Sequence, residues 1–408
     1  MKCRHCFAHV TLRFLDLGTS PPSNAYVPVD RLSAAEKWLP LRVLVCESCW
    51  LVQTDDFADG RELFDERYSY FSGFSETWLR HCKAYVAEVS SRFRLGAQSH
   101  VIEVAANDGS LLQFVKARGI PCMGVEPTAS TAQAARSRGL AVVQEFFGTR
   151  LATQFRERGD AADLIVANNV LAHVPDVNDF VNGFTIALKE GGIATFEFPS
   201  LRNLVSLCQF DTVYHEHFSY LSLTSAEAIF ARNGLSAFDV EVLSTHGGSL
   251  RVYVQRSDTG RYEASQRLIQ MRSQEVTAGI ASSHFYRGFQ SKAESCKNSF
   301  LRFLLDAKRD GLTVAGYGAA AKGNTLLNFA GVRPDLISFV VDRNPAKIGQ
   351  HLPGSRIPIV DEGTLSEVKP DYIVILPWNL KDEITAQLHY ARSWGTRYVT
   401  AIPELNIQ

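Results

Sequence analysis

The sequence predicts an α/β protein: two parallel-sheet units in series behind a small N-terminal metal-binding module. Three observations predict it. Two Cys-x-x-Cys pairs stand near the N-terminus, at Cys3/Cys6 and Cys46/Cys49. A strand, small-residue turn and helix start run from Ser99 to Leu112. A second such pattern runs from Gly311 to Asn324. The chain has 408 residues, and domains average about 150 residues, so two or three are expected. With 46% apolar and 21% charged residues, the composition is that of an ordinary globular chain and excludes coiled-coil, collagen-like and disordered classes. A net charge of -1 leaves no basic field for sequence-independent nucleic-acid binding. No apolar run approaches the ~18 residues of a membrane span. The opening Met1-Lys2-Cys3-Arg4-His5-Cys6 lacks the apolar stretch of a signal peptide. A cytoplasmic protein without membrane or nucleic-acid partners is the expectation.

The cysteines come first. Disulfide frameworks belong to short secreted chains, and this chain is neither. Two-residue spacing lets both thiolates of a pair reach one ion, and two such turns supply four soft ligands. Cys3, Cys6, Cys46 and Cys49 therefore read as a closed, structural tetrahedral zinc site. His5 and His9 are bystanders on this reading. Gly18 to Tyr26 carries turn chemistry and reads as a loop. Leu41–Leu44 and Leu51–Gln53 read as short strands beside the second pair.

A helix is expected from Ser75 to about Arg94. The strand Val101–Val104 then leads into Ala105-Ala106-Asn107-Asp108-Gly109, with Asp108 or Ser110 placed to cap the next helix. A second strand, Cys122–Val125, ends in Glu126, an acid suited to a ribose diol. The turn is not the G-x-G-x-x-G of dinucleotide folds and has no pyrophosphate to cradle, which favours S-adenosylmethionine over NAD. Ala162–Asn169 reads as the fourth strand and Gly191–Phe198 as the fifth. Glu103, Ala105, Asn107, Asp108, Gly109, Glu126, Asn168 and Asn169 are the expected cofactor contacts.

After the fifth strand comes Tyr214-His215-Glu216-His217. Histidine suits proton transfer near neutrality, glutamate can hold a histidine in one tautomer, and tyrosine can donate to an oxyanion. A second metal site and a purely structural cluster are the rival readings. Chemistry alone leaves His215 and His217 as equal candidates for a base. His173 lies just beyond the fourth strand, at the sheet edge where ligands bind. Glu241–Leu243 and His246–Val254 read as a late hairpin, with Ser249 and Arg251 facing the substrate.

The last third begins with helices over Tyr262–Ile280 and Ser282–Arg309. Strands at Phe339–Asp342 and Tyr372–Asn379 follow the Gly316-Tyr317-Gly318 turn. That turn and Asp342 fit part of an NAD pattern, but Lys322 in the first helical turn departs from it. The helix N-terminus suits phosphate instead.

Together these residues resemble the sugar C-methyltransferases of unusual deoxysugar pathways, of the tetronitrose and mycarose type. The matching pieces are the paired Cys-x-x-Cys, Glu103–Leu112, Asn168–Asp176, Tyr214–Tyr220 and Gly316–Thr325, so the likeness spans nearly the whole chain. It implies three parts: a zinc module over 1–66, a Rossmann-like class I methyltransferase domain over 67–257, and a smaller Rossmann-like α/β domain over 258–408. It implies a monomer. It implies methylation of carbon beside the ketone of a TDP- or GDP-linked 4-keto-6-deoxysugar, at C-3′ or C-5′. It places the base at His217, supported by Glu216, with Tyr214, Tyr68 and His173 around the sugar. Lys322, Asn324 and Trp378 are implied as nucleotide contacts. The alternatives are an O- or N-methyltransferase, a C-terminal NAD-dependent oxidoreductase, and a zinc-containing scaffold without activity.

Overall fold

The computed structural model describes residues 1–55, 57 and 71–408. Three sheets organise them. The first is antiparallel, in the order Leu12–Ser20, Leu39–Val45, Val52–Thr54 and Ser219–Tyr220. Its fourth strand comes from the segment just after the histidine cluster. Leu12–Ser20 also takes in Gly18, Thr19 and Ser20, whose turn chemistry predicts a loop. The register shifts between Asp16 and Thr19, where Gly18 turns left-handed at φ 75°. A bulge thus lets turn residues sit inside a strand.

The second sheet has seven strands, in the order Leu235–Leu243, Ser249–Arg256, Leu188–Pro199, Ala162–Asn168, Val101–Val104, Cys122–Val125 and Val142–Val143. Ser249–Arg256 runs antiparallel to both neighbours, and the five strands beyond it are parallel. This is the class I methyltransferase sheet. The order of the strands, not their polarity, reverses at Val101–Val104, so ligands collect above that strand's C-terminal end. The helix Glu76–Arg92 is capped by Ser75, whose side chain accepts from Trp78 N–H. The helix after the first turn starts only at Leu112, without a side-chain cap. Asp108 and Ser110 do not cap it. Asp108 instead accepts from Ser72 Oγ at 3.0 Å and pairs with Arg138 at 3.1 Å.

One face of this sheet is filled by aromatic rings. Phe184 is fully buried, with centroids 4.5 Å from Phe196, 5.1 Å from Phe147 and 5.2 Å from Phe180. No rotamer change closes a hole of that size. Phe184→Ala should lower unfolding stability by about 3–5 kcal/mol, read as a shift in urea midpoint. A shift below about 1 kcal/mol would show that the cluster repacks.

The third sheet has six strands, parallel except for the last: Ile359–Val360, Val340–Val341, Val314–Tyr317, Tyr372–Ile375, Arg397–Thr400 and Asn406–Ile407. The expected long helices break up into Gln266–Ala278, Ser283–Tyr286 and Phe289–Arg309. Left-handed Gly279 ends the first and left-handed Gly288 opens the last. Phe289 stacks on Phe14 of the first sheet at 4.6 Å. One apolar core therefore runs through the N-terminal sheet and the last domain. Among the described residues no helix is long and apolar enough to cross a membrane.

Candidate functional site

The metal centre is built by two turns. Cys3, Cys6, Cys46 and Cys49 bring four sulfurs within 4.8 Å of one another. The closest pairs are Cys3–Cys49 at 3.6 Å and Cys6–Cys46 at 3.4 Å. A tetrahedron with Zn–S bonds of about 2.3 Å has S···S edges of about 3.8 Å, so the four thiolates fit zinc and leave no ligand position open. Gln53 Nε2 donates to Cys3 Sγ at 3.3 Å, an outer-shell bond of the kind that orients ligands.

A cavity of about 570 Å³ opens above the C-terminal ends of the parallel strands. It is large enough for a cofactor-sized ligand. On one side lies the first turn. Ala105, Asn107 and Gly109 all have positive φ. At Gly109 a Cβ would come within 2.2 Å of Leu140, so no larger residue fits there. Glu126 pins the turn: its carboxylate accepts from Asn107 N–H at 2.9 Å and from Thr128 N–H at 2.9 Å. Burial pushes the Glu126 carboxyl up. Glu103 also lines the cavity, and burial beside Asp108 and Glu126 pushes its carboxyl well up. Its Oε2 has no partner among the described residues.

On the other side lie the histidines. His217 Nδ1 is 2.9 Å from the Thr212 carbonyl oxygen. A carbonyl only accepts, so Nδ1 carries the proton and Nε2 carries the lone pair. Tyr214 OH donates to that Nε2 at 2.8 Å. His173 donates from Nδ1 to the Glu216 carbonyl oxygen at 2.7 Å. Its ring meets that of His217 edge-on at 4.6 Å. Burial holds the His217 imidazole well below its ordinary value, with His173 adding to the effect, and lowers His173 to about 4. Both are neutral at pH 7.

The third wall comes from the last domain. Ala320, Ala321, Lys322 and Lys347 line the cavity. Lys322 Nζ donates to Asn379 Oδ1 at 2.7 Å and sits 4.7 Å over the Trp378 ring. Trp378 Nε1 donates to Asp211 Oδ2 at 2.7 Å. Burial raises the Asp211 carboxyl to about 6.

The comparisons with known proteins agree with this layout. A zinc binding domain family matches residues 3–64, a methyltransferase domain family residues 77–239, and a C-methyltransferase C-terminal domain family residues 244–403. The C-methyltransferase NovU of Streptomyces niveus is 31% identical over 403 residues, which cover 99% of this chain and 96% of that protein. The chain belongs to this family of C-methyltransferases. A 117-residue stretch is 29% identical to trans-aconitate 2-methyltransferase of Paracidovorax citrulli (strain AAC00-1), covering 28% of this chain and 44% of that protein. Among solved structures, the S-adenosylmethionine-bound magnesium protoporphyrin IX methyltransferase of Synechocystis PCC 6803 aligns with 15% identity over 50% of this chain and 100% of its own, at a TM-score of 0.37.

In this C-methyltransferase the cavity gathers Glu103, Ala105, Asn107, Glu126, Asn168, Asn169, His173, Tyr214, His217 and Lys322. Other residues expected at the site lie elsewhere. Asp108 and Gly109 support the turn from behind. Arg251 is buried in pairs with Glu197 at 2.7 Å and Glu241 at 3.1 Å, so its guanidinium is spent inside the sheet. Ser249 Oγ donates to the Thr245 carbonyl. Asn324 is fully buried in its helix and does not line the cavity. Trp378 does not line the cavity but backs Lys322 and the turn that carries His246. Glu216 does not orient His217. Its carboxylate accepts from Asn24 Nδ2 at 3.2 Å, and the Thr212 carbonyl takes the orienting role. His215 turns away to the Pro40 carbonyl at 3.2 Å. Tyr68 lies outside the described residues.

Sequence reading missed the N-terminal module as a frame for the histidine segment. Thr54 N–H donates to the Phe218 carbonyl at 3.1 Å and Thr54 Oγ1 to the His217 carbonyl at 3.3 Å. No local pattern encodes contacts across 163 residues. It also missed Lys347, Trp78 and His246 as lining residues. For His246 the paired glycines that follow it were the available signal.

Proposed function

We propose that this C-methyltransferase deprotonates the carbon beside the ketone of a nucleotide-linked 4-keto-6-deoxysugar, at C-3′, and methylates the resulting enolate. The observation that carries the reading is the His217 Nε2 lone pair, fixed by the Thr212 carbonyl and capped by Tyr214 OH, in the cavity that also holds the Glu126 turn. When bound, S-adenosylmethionine supplies an electrophilic methyl group on a sulfonium. Glu126 and the Asn107 turn would hold its ribose, and Glu103 its ammonium group. His217 Nε2 takes the C-3′ proton. Tyr214 OH, released from Nε2 by the incoming carbon, turns to the enolate oxygen. Burial makes His217 a weaker base than a free imidazole, so the enolate needs this stabilisation, and Lys322 adds positive charge nearby. Lys322 and Lys347 beside the N-terminus of the Ala321–Phe329 helix suit the sugar's diphosphate.

The test is solvent exchange. In deuterated water with S-adenosylhomocysteine, the enzyme should place deuterium at one ring carbon of the accepted 4-keto sugar, read by NMR. Methyl transfer to an oxygen or nitrogen, without exchange at any carbon, would overturn the reading. The cofactor side is tested separately. Glu126→Ala should weaken S-adenosylhomocysteine binding tenfold to hundredfold by calorimetry, on the order of one or two lost hydrogen bonds to a charged group.

A further inference from the structure

Two side chains at the sheet edge, one of them Asn169, which the sequence assigns to the cofactor, are held in an arrangement that the proposed reaction does not use. Asn169 follows the fourth strand and His246 sits in the turn before Ser249–Arg256. Both are non-glycine residues at φ 53°, a conformation that persists only where surroundings enforce it. The surroundings of the His246 turn are tight. Gln209 Nε2 donates to the Gly247 carbonyl at 2.8 Å. A Cβ on Gly247 would meet the Trp378 ring at 2.3 Å, and one on Gly248 would meet Asn203 at 1.8 Å. Thr245 Oγ1 donates to Glu197 at 2.9 Å. The His246 ring is thereby fixed, 5.8 Å from that of Trp78.

His246 Nε2 lies 3.2 Å from Asn169 Nδ2. In this arrangement the amide nitrogen donates and Nε2 accepts, which leaves Oδ1 as the free face of the carboxamide. Burial lowers His246 to about 4, so the ring stays neutral and keeps its lone pair. The opposite atom, Asn169 Oδ1, is buried with no hydrogen-bond partner among the described residues, although Asn169 lines the cavity. A buried acceptor left unpaired is costly and marks a place where a donor belongs. Position decides which ligand supplies the donor. Glu126 lies on one side of Val101–Val104 and Asn169 on the other, so the nucleoside end of the cofactor is remote. Asn169 and His246 line the cavity together with His173, His217 and Lys322, so we assign the pair to the acceptor side.

We propose that Asn169 is a specificity residue that accepts a hydrogen bond from a hydroxyl of the methyl acceptor, and that His246 is the positioning residue that fixes its carboxamide. The inference rests on the keto-sugar reading above and adds the group by which the acceptor is selected.

The experiment is steady-state methyl transfer with a 4-keto nucleotide sugar and with analogues in which each remaining ring hydroxyl is replaced by hydrogen. One analogue should show a KM about tenfold higher with the wild-type enzyme, the loss expected for one hydrogen bond to a buried acceptor. His246→Ala should raise KM for the hydroxylated acceptor by a similar factor, leave kcat within about threefold, and erase the difference between the two acceptors. His246→Asn, which keeps a carbonyl acceptor at a left-handed position, should recover part of the discrimination. Asn169→Ala should erase it too, which keeps the test available if the histidine variant misfolds. S-adenosylhomocysteine affinity should be unchanged in His246→Ala. Equal discrimination in wild type and both alanine variants overturns the inference while the keto-sugar reading stands. A wild-type enzyme that binds S-adenosylhomocysteine but neither exchanges nor methylates any keto sugar overturns that reading, and this inference with it.

Discussion

His217→Asn should lower methyl transfer by about 10²–10⁴-fold, the usual contribution of a positioned general base. Hydrogen exchange at the reacting carbon should fall with it. The asparagine amide can still donate to the Thr212 carbonyl that His217 Nδ1 now meets, so thermal stability and S-adenosylhomocysteine binding should stay near wild type. The pH profile adds a second readout. Burial holds His217 below its ordinary value of 6.5, so the free base persists on mild acidification. The acid limb of kcat/KM should lie below pH 6.5 in the wild type, with activity rising as pH rises through it. An acid limb above 6.5, or a variant that keeps a tenth of the activity, would sink the assignment of the base to His217.

Loss of zinc should be the other large effect. Four thiolates around one ion can contribute about 10–16 kcal/mol of apparent binding energy in small zinc modules, and that energy is folding energy. In this chain the module also grips the histidine segment residue by residue. Pro40 holds His215, Asn24 holds Glu216, and Thr54 holds His217 and Phe218. Cys46→Ser, or chelation of the wild-type protein, should therefore abolish methyl transfer even though no cavity-lining residue is a zinc ligand. Zinc release, followed with a colorimetric indicator, should run in parallel with loss of activity. Full activity after stoichiometric release would show that the sheet holds the segment without its metal.

The central strands of the methyltransferase sheet were legible because they are short apolar runs ended by a polar signal: Glu126 after Cys122–Val125, Asn168-Asn169 after Ala162–Ala167; the two-residue edge strand Val142–Val143 is too short to carry one. The four zinc ligands were legible from spacing alone. Chemistry in the histidine cluster was legible by type, while its geometry was not. Glu216 adjoins His217 in sequence, which suggests a carboxylate–imidazole pair. The backbone sends the Glu216 side chain to Asn24 and leaves a main-chain carbonyl, which carries no sequence signature, to fix the tautomer. Arg251 misled for a related reason. A charged residue on a strand near the sheet edge looks exposed until Glu197 and Glu241, from two other strands, are known to face it. His246 was hidden because its placement depends on Trp378 and Asn203, far away along the chain.

The stacking of Phe14 on Phe289 has a consequence for biogenesis. Gln290 accepts from Asp16 N–H across 274 residues of chain, so the first strand waits for the helix that covers its face until most of the polypeptide has been made. Contacts of such long sequence separation close slowly, and the apolar face of a strand already paired with Leu39–Val45 but not yet covered invites wrong associations on a nascent chain. Early capture of metal would give the waiting segment local order on the ribosome. Zinc supply during synthesis should then govern the yield of active protein more strongly than zinc added after purification.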